Sequence, residues 1–188
     1  MTSERLWQTC PAELDEDDAL VAAVIAVHAS ILTGQLAGDP MLNQALPVQC
    51  RAIRRVEDWR LLLLLTPWMF ARLLFPDRPP PGELPPGWSA GERAGADYLV
   101  LGPGLRFSLL GQPQQAHLNH DARLGHYLLQ PICLDLEPYA DPESVFEDWN
   151  QVIRTRDENM EQARRECALQ REVSRREFFQ RLKPGGKS

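Results

Sequence analysis

Three histidines and an aspartate lie within ten residues of one another, at His117, His120, Asp121 and His126. Imidazole nitrogens and carboxylate oxygens are ligands for zinc or nickel, so metal binding is the first chemistry to consider. The spacing matches no standard metal site, however, and no cysteine is near in sequence. The pattern therefore favours a solvated loop, and a metal-binding enzyme that uses the histidines at 117–126 stays as the weaker alternative.

Other catalytic chemistry has little support in this sequence. The chain has no G-x-S-x-G nucleophile motif and no glycine loop suited to phosphate. Cys10, Cys50, Cys133 and Cys167 form no CxxC pair, so a zinc ribbon, a rubredoxin-type iron site and a thioredoxin motif have no support in the sequence. We therefore expect a protein that is not an enzyme, with no catalytic residue, no metal ligand and no cofactor.

Length and charge narrow the class of protein. The chain has 188 residues, of which 44% are hydrophobic and 24% are charged, as in soluble single-domain proteins. Its net charge of −6 argues against nucleic acid as a partner. The apolar stretch 61–75 is interrupted by Pro67 and Arg72 and is shorter than the roughly 18 residues of a membrane-spanning helix. With scattered cysteines and no secretory signal pattern, we expect a cytoplasmic protein that is not membrane-embedded.

Hydrophobic periodicity predicts the elements that would position any site. Helical spacing of apolar residues predicts a helix over 15–36, with His28 as a hydrogen-bonded core residue. A second and longer helix is expected after Asp141-Pro142, an N-cap side chain followed by proline. Alternating or continuous apolar runs predict five strands, at 46–52, 59–65, 98–101, 105–110 and 127–136.

These elements predict an α+β fold. We expect a single domain in which an antiparallel sheet of about five strands packs with the N-terminal helix and the longer C-terminal helix. The segment 110–125 is expected to be irregular, and Pro131 implies an edge position or a bulge for its strand. The domain is expected to span residues 1–155, followed by a C-terminal helical extension and basic tail over 156–188.

The leucine run that follows Trp59 ends at Thr66-Pro67-Trp68-Met69-Phe70. Proline has no N–H to give and restricts the residue before it, so the strand is expected to stop there. The bulky side chains after it either close one end of the core or form an apolar surface for another protein. The two roles are compatible, because interface anchors are often aromatic residues that are partly seated in the core.

This region resembles the HybE/HupJ/HoxT family of nickel-iron hydrogenase assembly chaperones. The matching residues are Trp59 and the segments 47–54 (PVQCRAIR), 64–70 (LLTPWMF) and 73–76 (LLFP). The chain departs from the family pattern at Ala71-Arg72, where members tend to carry asparagine, and before Pro131, where it reads YLLQP.

The resemblance implies a non-enzymatic assembly chaperone that binds precursor subunits of a nickel-iron uptake hydrogenase during maturation and before twin-arginine export. Its implied partners are the small subunit precursor, the large subunit precursor or both, a twin-arginine signal peptide and a separate rubredoxin. A generic protein-interaction domain is the alternative. The residues expected to bind protein are Trp59, Thr66, Pro67, Trp68, Met69, Phe70 and Leu73.

A second motif lies near the C-terminus. Ser174-Arg175-Arg176 and the phenylalanines after it resemble a twin-arginine export motif, although no apolar segment follows them. Ser174 and Glu177 also have the spacing of a helix capping box. The tail therefore has two interpretations, a simple helix cap or a mimic of a precursor's signal peptide.

Overall fold

The computed structural model describes residues 7–171, with side chains through residue 162. The described part divides into two compact units at Pro142. All the strands described belong to the first unit, together with one long helix, and the second unit is a single helix. This arrangement confirms the α+β class that the sequence predicts. The twin-arginine-like motif at Ser174 lies outside the described residues.

One antiparallel sheet organises the first unit. In the described chain it has six strands, where the sequence predicted about five, and their order is β1-β2-β3-β6-β5-β4. Each half of the sheet is a run of consecutive strands, and the two halves join where β3 pairs with β6. The strands are β1 (Gln49–Val56), β2 (Trp59–Thr66), β3 (Met69–Pro76), β4 (Gly104–Leu109), β5 (Gln112–Asp121) and β6 (Gly125–Cys133).

Strand β3 was not predicted, because Pro67 indicates the end of a strand when only the sequence around it is known. Thr66 instead pairs with Met69 across a two-residue connection, so the chain reverses at Pro67 and the leucine-rich stretch returns as β3. A proline in the connection removes no hydrogen bond from the ladder, since its missing N–H lies outside the paired residues. Both strands are buried along most of their length, as continuous apolar runs require.

Strands in the second half of the sheet correct two further expectations. The segment 110–125 was expected to be irregular but contains the whole of β5, whereas residues 98–101 form no strand. Strand β6 is central, so the edge position considered for Pro131 is wrong. The bulge is confirmed, because the register with β3 shifts between the pairs Phe70–Cys133 and Ala71–Pro131.

Helix α1 (Asp17–Thr33) covers one face of the sheet and confirms the N-terminal helix, a few residues shorter at each end than predicted. Asp17 and Asp18 lie in its first turn, where the helix dipole favours negative charge. Its apolar side packs on residues of β2, β3 and β6 in one hydrophobic cluster. His28 lies within this packing, fully buried, with Nδ1 2.8 Å from the Val24 carbonyl oxygen, as predicted.

Opposite this helix, the other face of the sheet carries a second cluster that is rich in tryptophan, built from Trp7, Trp59, Trp88 and Phe107 with neighbouring leucines. The rings of Trp59 and Phe107 lie 4.9 Å apart. A short helix, α2 (Ala90–Arg93), follows Trp88 and begins with a capping box between Ser89 and Glu92. Because the sheet is covered on both faces, the leucine-rich strands can be apolar throughout.

The second unit is helix α3 (Pro142–Arg171), which starts at the proline that the sequence indicated. It runs unbroken past residue 155, so a boundary between residues 1–155 and an extension over 156–188 stays a prediction. Of the helices described here, none combines the length and the hydropathy needed to cross a bilayer.

Candidate functional site

The connection between β2 and β3 is shaped by the hydroxyl of Thr66. Its oxygen accepts hydrogen bonds from the backbone N–H of Trp68 at 3.4 Å and of Met69 at 3.1 Å. The same hydroxyl donates to the Met69 carbonyl oxygen at 3.1 Å. Thr66 is fully buried, so its hydroxyl has no hydrogen bonds to water, and these bonds to the backbone take their place. The Thr-Pro-Trp sequence therefore encodes a rigid turn with Trp68 at its tip.

The structure separates the seven residues that were expected to bind protein. Six of them are buried, and only Trp68 is partly exposed. Met69 and Phe70 are buried because they begin β3 and pack inside the sheet unit. In this conformation their side chains are not available for direct contact with a partner. The buried six are Trp59, Thr66, Pro67, Met69, Phe70 and Leu73.

Trp68 is held by two neighbours on the α1 side of the sheet. Its indole Nε1–H donates to the Tyr98 hydroxyl at 3.3 Å, and the two rings meet edge to face at 6.2 Å. The His28 ring stacks with the indole at 6.3 Å. Burial raises the pKa of Tyr98 to about 12 and lowers the pKa of His28 to about 4. Both neighbours are therefore neutral at pH 7, so the partly exposed Trp68 ring packs against uncharged groups.

Asn43 fixes the position of this turn and was not found from the sequence. Its backbone N–H donates to the Pro67 carbonyl oxygen at 2.9 Å. Its side-chain amide donates to the carbonyl oxygens of Leu136 and Tyr139 at 2.8 and 2.7 Å. Ala45 N–H closes the local turn by donating to the Asn43 side-chain oxygen at 3.0 Å. One residue thus joins the loop after α1, the β2–β3 turn and the segment after β6.

Two large apolar side chains are exposed on the segments that Asn43 joins. Met41 is 85% exposed and lies two residues before Asn43. Leu134 is 48% exposed and follows β6, two residues before Leu136. We call Trp68, Met41 and Leu134 the turn surface. Met41 and Leu134 were missed because an apolar residue in a loop is a weak signal without knowledge of its neighbours.

The histidines considered for metal binding are placed in the β5–β6 hairpin and hydrogen-bond to protein groups. His117 Nδ1 lies 2.8 Å from the Gly102 carbonyl oxygen, and His120 Nε2 lies 2.9 Å from the Gln8 side-chain oxygen. His126 Nδ1 accepts from the Gln8 N–H, while its Nε2 donates to the Trp88 carbonyl oxygen. Within the described residues, no three His, Cys, Asp or Glu side chains are grouped to hold a metal ion.

Comparison with known proteins decides the family. The family model described as "NiFe-hydrogenase assembly, chaperone, HybE" matches residues 19–181, which is most of the chain. The chain belongs to this HybE family of hydrogenase assembly chaperones. The match confirms the resemblance that the Thr66–Phe75 region indicated. None of the curated proteins compared matches the sequence significantly.

A solved structure of HybE from Escherichia coli is also similar to this chain. The two proteins share 17% sequence identity, and the alignment covers 62% of this chain and 63% of the other, with a TM-score of 0.40. The chain thus spans less than two thirds of the length of that HybE structure. Membership of the HybE family rests on the sequence match, which includes the Thr66–Phe75 region.

Proposed function

We propose that this HybE-family chaperone acts without catalysis, by binding precursor subunits of a nickel-iron uptake hydrogenase in the cytoplasm before their export by the twin-arginine route. The observation on which this depends is the family match over residues 19–181. Its clients are the small subunit precursor, the large subunit precursor or both, and the signal peptide is one segment that it holds. A rubredoxin is proposed as a further partner on the family resemblance; since this chain has no CxxC pair, its iron would be carried by a separate protein.

The turn surface is the proposed contact region within the first unit. Trp68, Met41 and Leu134 combine partial or high exposure with apolar character, and they lie on the three segments that the hydrogen bonds of Asn43 join. Aromatic and methionine side chains are enriched at binding surfaces, where they displace water over a large area. Thr66 and Met69 support this surface, because the hydrogen bonds between them fix the backbone on either side of Trp68.

The test is capture of purified hydrogenase precursors by the immobilised chaperone. Small and large subunits are offered with and without the signal peptide of the small subunit, and capture is compared between wild type and Trp68→Ala. We expect Trp68→Ala to weaken capture about tenfold or more, the range of an interface anchor. Leu110→Ala is the matched control, since Leu110 is 66% exposed beside another hairpin connection.

Three outcomes separate the parts of this proposal. Failure to capture either subunit overturns the proposed clients. Equal capture with and without the signal peptide overturns the signal peptide as a held segment. Capture that is equally strong in wild type and Trp68→Ala overturns the turn surface. Leu134→Ser, at a residue that is already half exposed, provides a second variant if Trp68→Ala unfolds in circular dichroism.

A further inference from the structure

Acidic residues lie on the same segments as the exposed side chains of the turn surface. Asp39 comes two residues before Met41, and Asp135 and Glu137 lie in the segment after β6. Neither this segment nor the loop after α1 contains a lysine or an arginine. Within residues 7–162, no ion pair involves any of these three carboxylates. The turn surface therefore has an apolar centre with negative charge beside it.

The part of the chain beyond the described residues has the complementary composition. The segment 174–183 reads SRREFFQRLK, with four basic residues and one acidic residue. Phe178, Phe179 and Leu182 add three large apolar side chains. Large apolar side chains supply burial at an interface, and opposite charges select the partner. This segment therefore matches the turn surface both in charge and in apolar content.

The length of α3 decides which copy of the chain can supply the segment. With 30 residues, the two ends of α3 lie roughly 45 Å apart. The helix starts at Pro142, three residues after Tyr139, so its start is within roughly 11 Å of a carbonyl that Asn43 holds. Phe178 follows the last helical residue by seven residues, which span at most about 25 Å. The segment is thus too short to return to the turn surface from which its own helix starts.

A second copy of the chain removes this limit. When two α3 helices lie side by side and antiparallel, the last residue of each lies beside the first residue of the other. The segment that follows each helix then begins close to the turn surface of the partner. The distance that prevents contact within one copy is the distance that the antiparallel pair spans.

Exposed apolar residues of α3 suit this pairing. Ile153 and Met160 are 37% and 45% exposed and lie seven residues apart, which places them on one face of the helix. Ile153 is eleven residues from the start of α3, and Met160 is eleven residues from its end. An antiparallel pair aligned end to end therefore brings Ile153 of each helix beside Met160 of the other. Val152, which is 57% exposed, lies next to this contact.

We infer that two copies of this chain form a two-fold dimer in which the α3 helices pair antiparallel and the segment 174–183 of each copy lies on the turn surface of the other. The interface is isologous, as in most dimers, because each copy contributes the same surface and the same segment. The inference goes beyond the proposed function by naming what occupies the turn surface when no client is bound. It rests on that function only in that a client would have to displace the segment.

Self-association is measured by sedimentation equilibrium on the full chain and on a chain that ends at Val173. We expect the full chain to form dimers with a Kd around micromolar, and truncation to weaken them at least about tenfold. The dimer should also weaken in about 1 M salt, where the Debye length is only about 3 Å. A full chain that is monomeric at about 100 μM, or a dimer that is equally strong after truncation, overturns the inference.

Surface variants locate the interface without disturbing the core. Asp135→Lys reverses an exposed charge beside the turn surface and should weaken the dimer about fivefold. Met160→Asp should weaken it as well, because it places a charge in the helix contact. Glu83→Lys is the matched control, since Glu83 is also exposed but lies in the proline-rich segment after β3. If Asp135→Lys and Met160→Asp both associate like wild type, the inference is wrong.

A mixing experiment shows whether the segment acts between copies. The full chain with Trp68→Ala keeps its segment but has a defective turn surface, and the truncated chain keeps its surface but has no segment. Each should self-associate about tenfold more weakly than the two associate with each other. Asp135→Lys replaces Trp68→Ala if the latter unfolds in circular dichroism. A mixture that associates no better than its components overturns the inference.

A synthetic peptide of residues 174–183 separates the remaining alternative. The fluorescein-labelled peptide should bind the truncated chain in fluorescence anisotropy, and serine in place of both phenylalanines should weaken it about tenfold. Peptide binding together with a monomeric full chain would assign the segment to its own copy and overturn the dimer.

Capture of hydrogenase precursors distinguishes this inference from the proposed function. A dimer that depends on the segment 174–183, without capture of either precursor, supports the inference and overturns the proposed clients. Capture by a full chain that is monomeric overturns the inference and leaves the proposed clients intact.

Discussion

Replacing Asn43 tests how the turn surface is held. Asn43→Ala removes three side-chain hydrogen bonds, two donated to carbonyl oxygens and one accepted from Ala45 N–H. At about 1 kcal/mol net for each bond, the free energy of unfolding should fall by about 3 kcal/mol. For a chain of this length the loss corresponds to roughly 6–12 °C in Tm. The backbone bond from Asn43 to Pro67 survives the change.

Asn43→Asp should destabilise the fold more than Asn43→Ala, although aspartate is nearly the same shape. A carboxylate oxygen would replace the amide nitrogen that now lies 2.8 and 2.7 Å from the oxygens of Leu136 and Tyr139. The oxygens then repel one another where hydrogen bonds existed, and a charge faces acceptors only. We expect a further loss of at least about 1 kcal/mol at pH 7.

The pH dependence of Asn43→Asp gives the sharper test. The facing carbonyl oxygens disfavour the charged carboxyl, so its pKa in the folded state should lie above the unfolded value of about 3.9. The folded variant then binds its proton more tightly than the unfolded chain does. Its deficit relative to wild type should therefore shrink as the pH falls through the raised pKa towards about 3.9.

Urea unfolding followed by circular dichroism measures these differences at neutral and mildly acidic pH. Asn159→Asp is the control, since Asn159 is exposed on α3 and should change stability by less than about 0.5 kcal/mol. An Asn43→Asp variant as stable as Asn43→Ala at pH 7 would refute the assigned donor role of the amide. A deficit that does not change with pH would refute the repulsion between carboxylate and carbonyl oxygens.

Two further predictions concern other parts of the first unit. Burial lowers the pKa of His28 in the folded protein to about 4, below the value of about 6.5 in the unfolded chain. The neutral ring therefore contributes fully to stability above about pH 6.5, and this contribution is lost as the pH falls through about 4. Between these two pH values the wild type should lose about 3 kcal/mol of stability that His28→Phe does not lose, as measured by urea unfolding at each pH. An equally steep fall in the free energy of unfolding with pH in both proteins would contradict this. Gly125→Ala should lower the free energy of unfolding by about 2 kcal/mol and the Tm in calorimetry by roughly 4–8 °C, because φ is 74° and an added Cβ would lie 2.6 Å from the oxygens of Gln8 and Thr9. Gly111→Ala, at a φ of 69° with open space around it, carries only the backbone strain, and equal losses would contradict the close approach.

The spacing of apolar residues along the sequence was sufficient to predict the helix and strands in which such residues recur regularly. The helical spacing before Thr33 predicted α1, and the leucine run predicted the strand that the structure has as β2. A mid-strand proline cannot donate to the ladder, so Pro131 indicated an edge position or a bulge, and the shifted register of β3 and β6 shows the bulge. These signals depend on neighbours within a few residues, so one sequence is enough to find them.

The features that could not be predicted from the sequence depend on contacts between residues that are far apart in the chain. Polar and apolar residues alternate poorly along β5, because the polar side chains of Asn119 and His120 are accommodated there by hydrogen bonds to residues distant in sequence. Pro67 fits both a strand end and a turn, and only the pairing of Thr66 with Met69 distinguishes the two. Asn43 bonds to carbonyl groups more than 90 residues away, so no spacing rule could have indicated its role.

Because Met69 and Phe70 are buried, a client would contact the turn mainly through Trp68, which is already held in place before binding. A side chain that is mobile before binding loses conformational freedom in the complex, and this loss weakens affinity. Trp68 is already held by the Tyr98 hydroxyl and the stacked His28 ring, while the Thr66 hydroxyl fixes its backbone. Substitutions beneath Trp68 should therefore lower stability and client affinity together. Substitution of Trp68 itself should lower affinity in excess of its effect on folding, and this difference separates a binding surface from the end of a core.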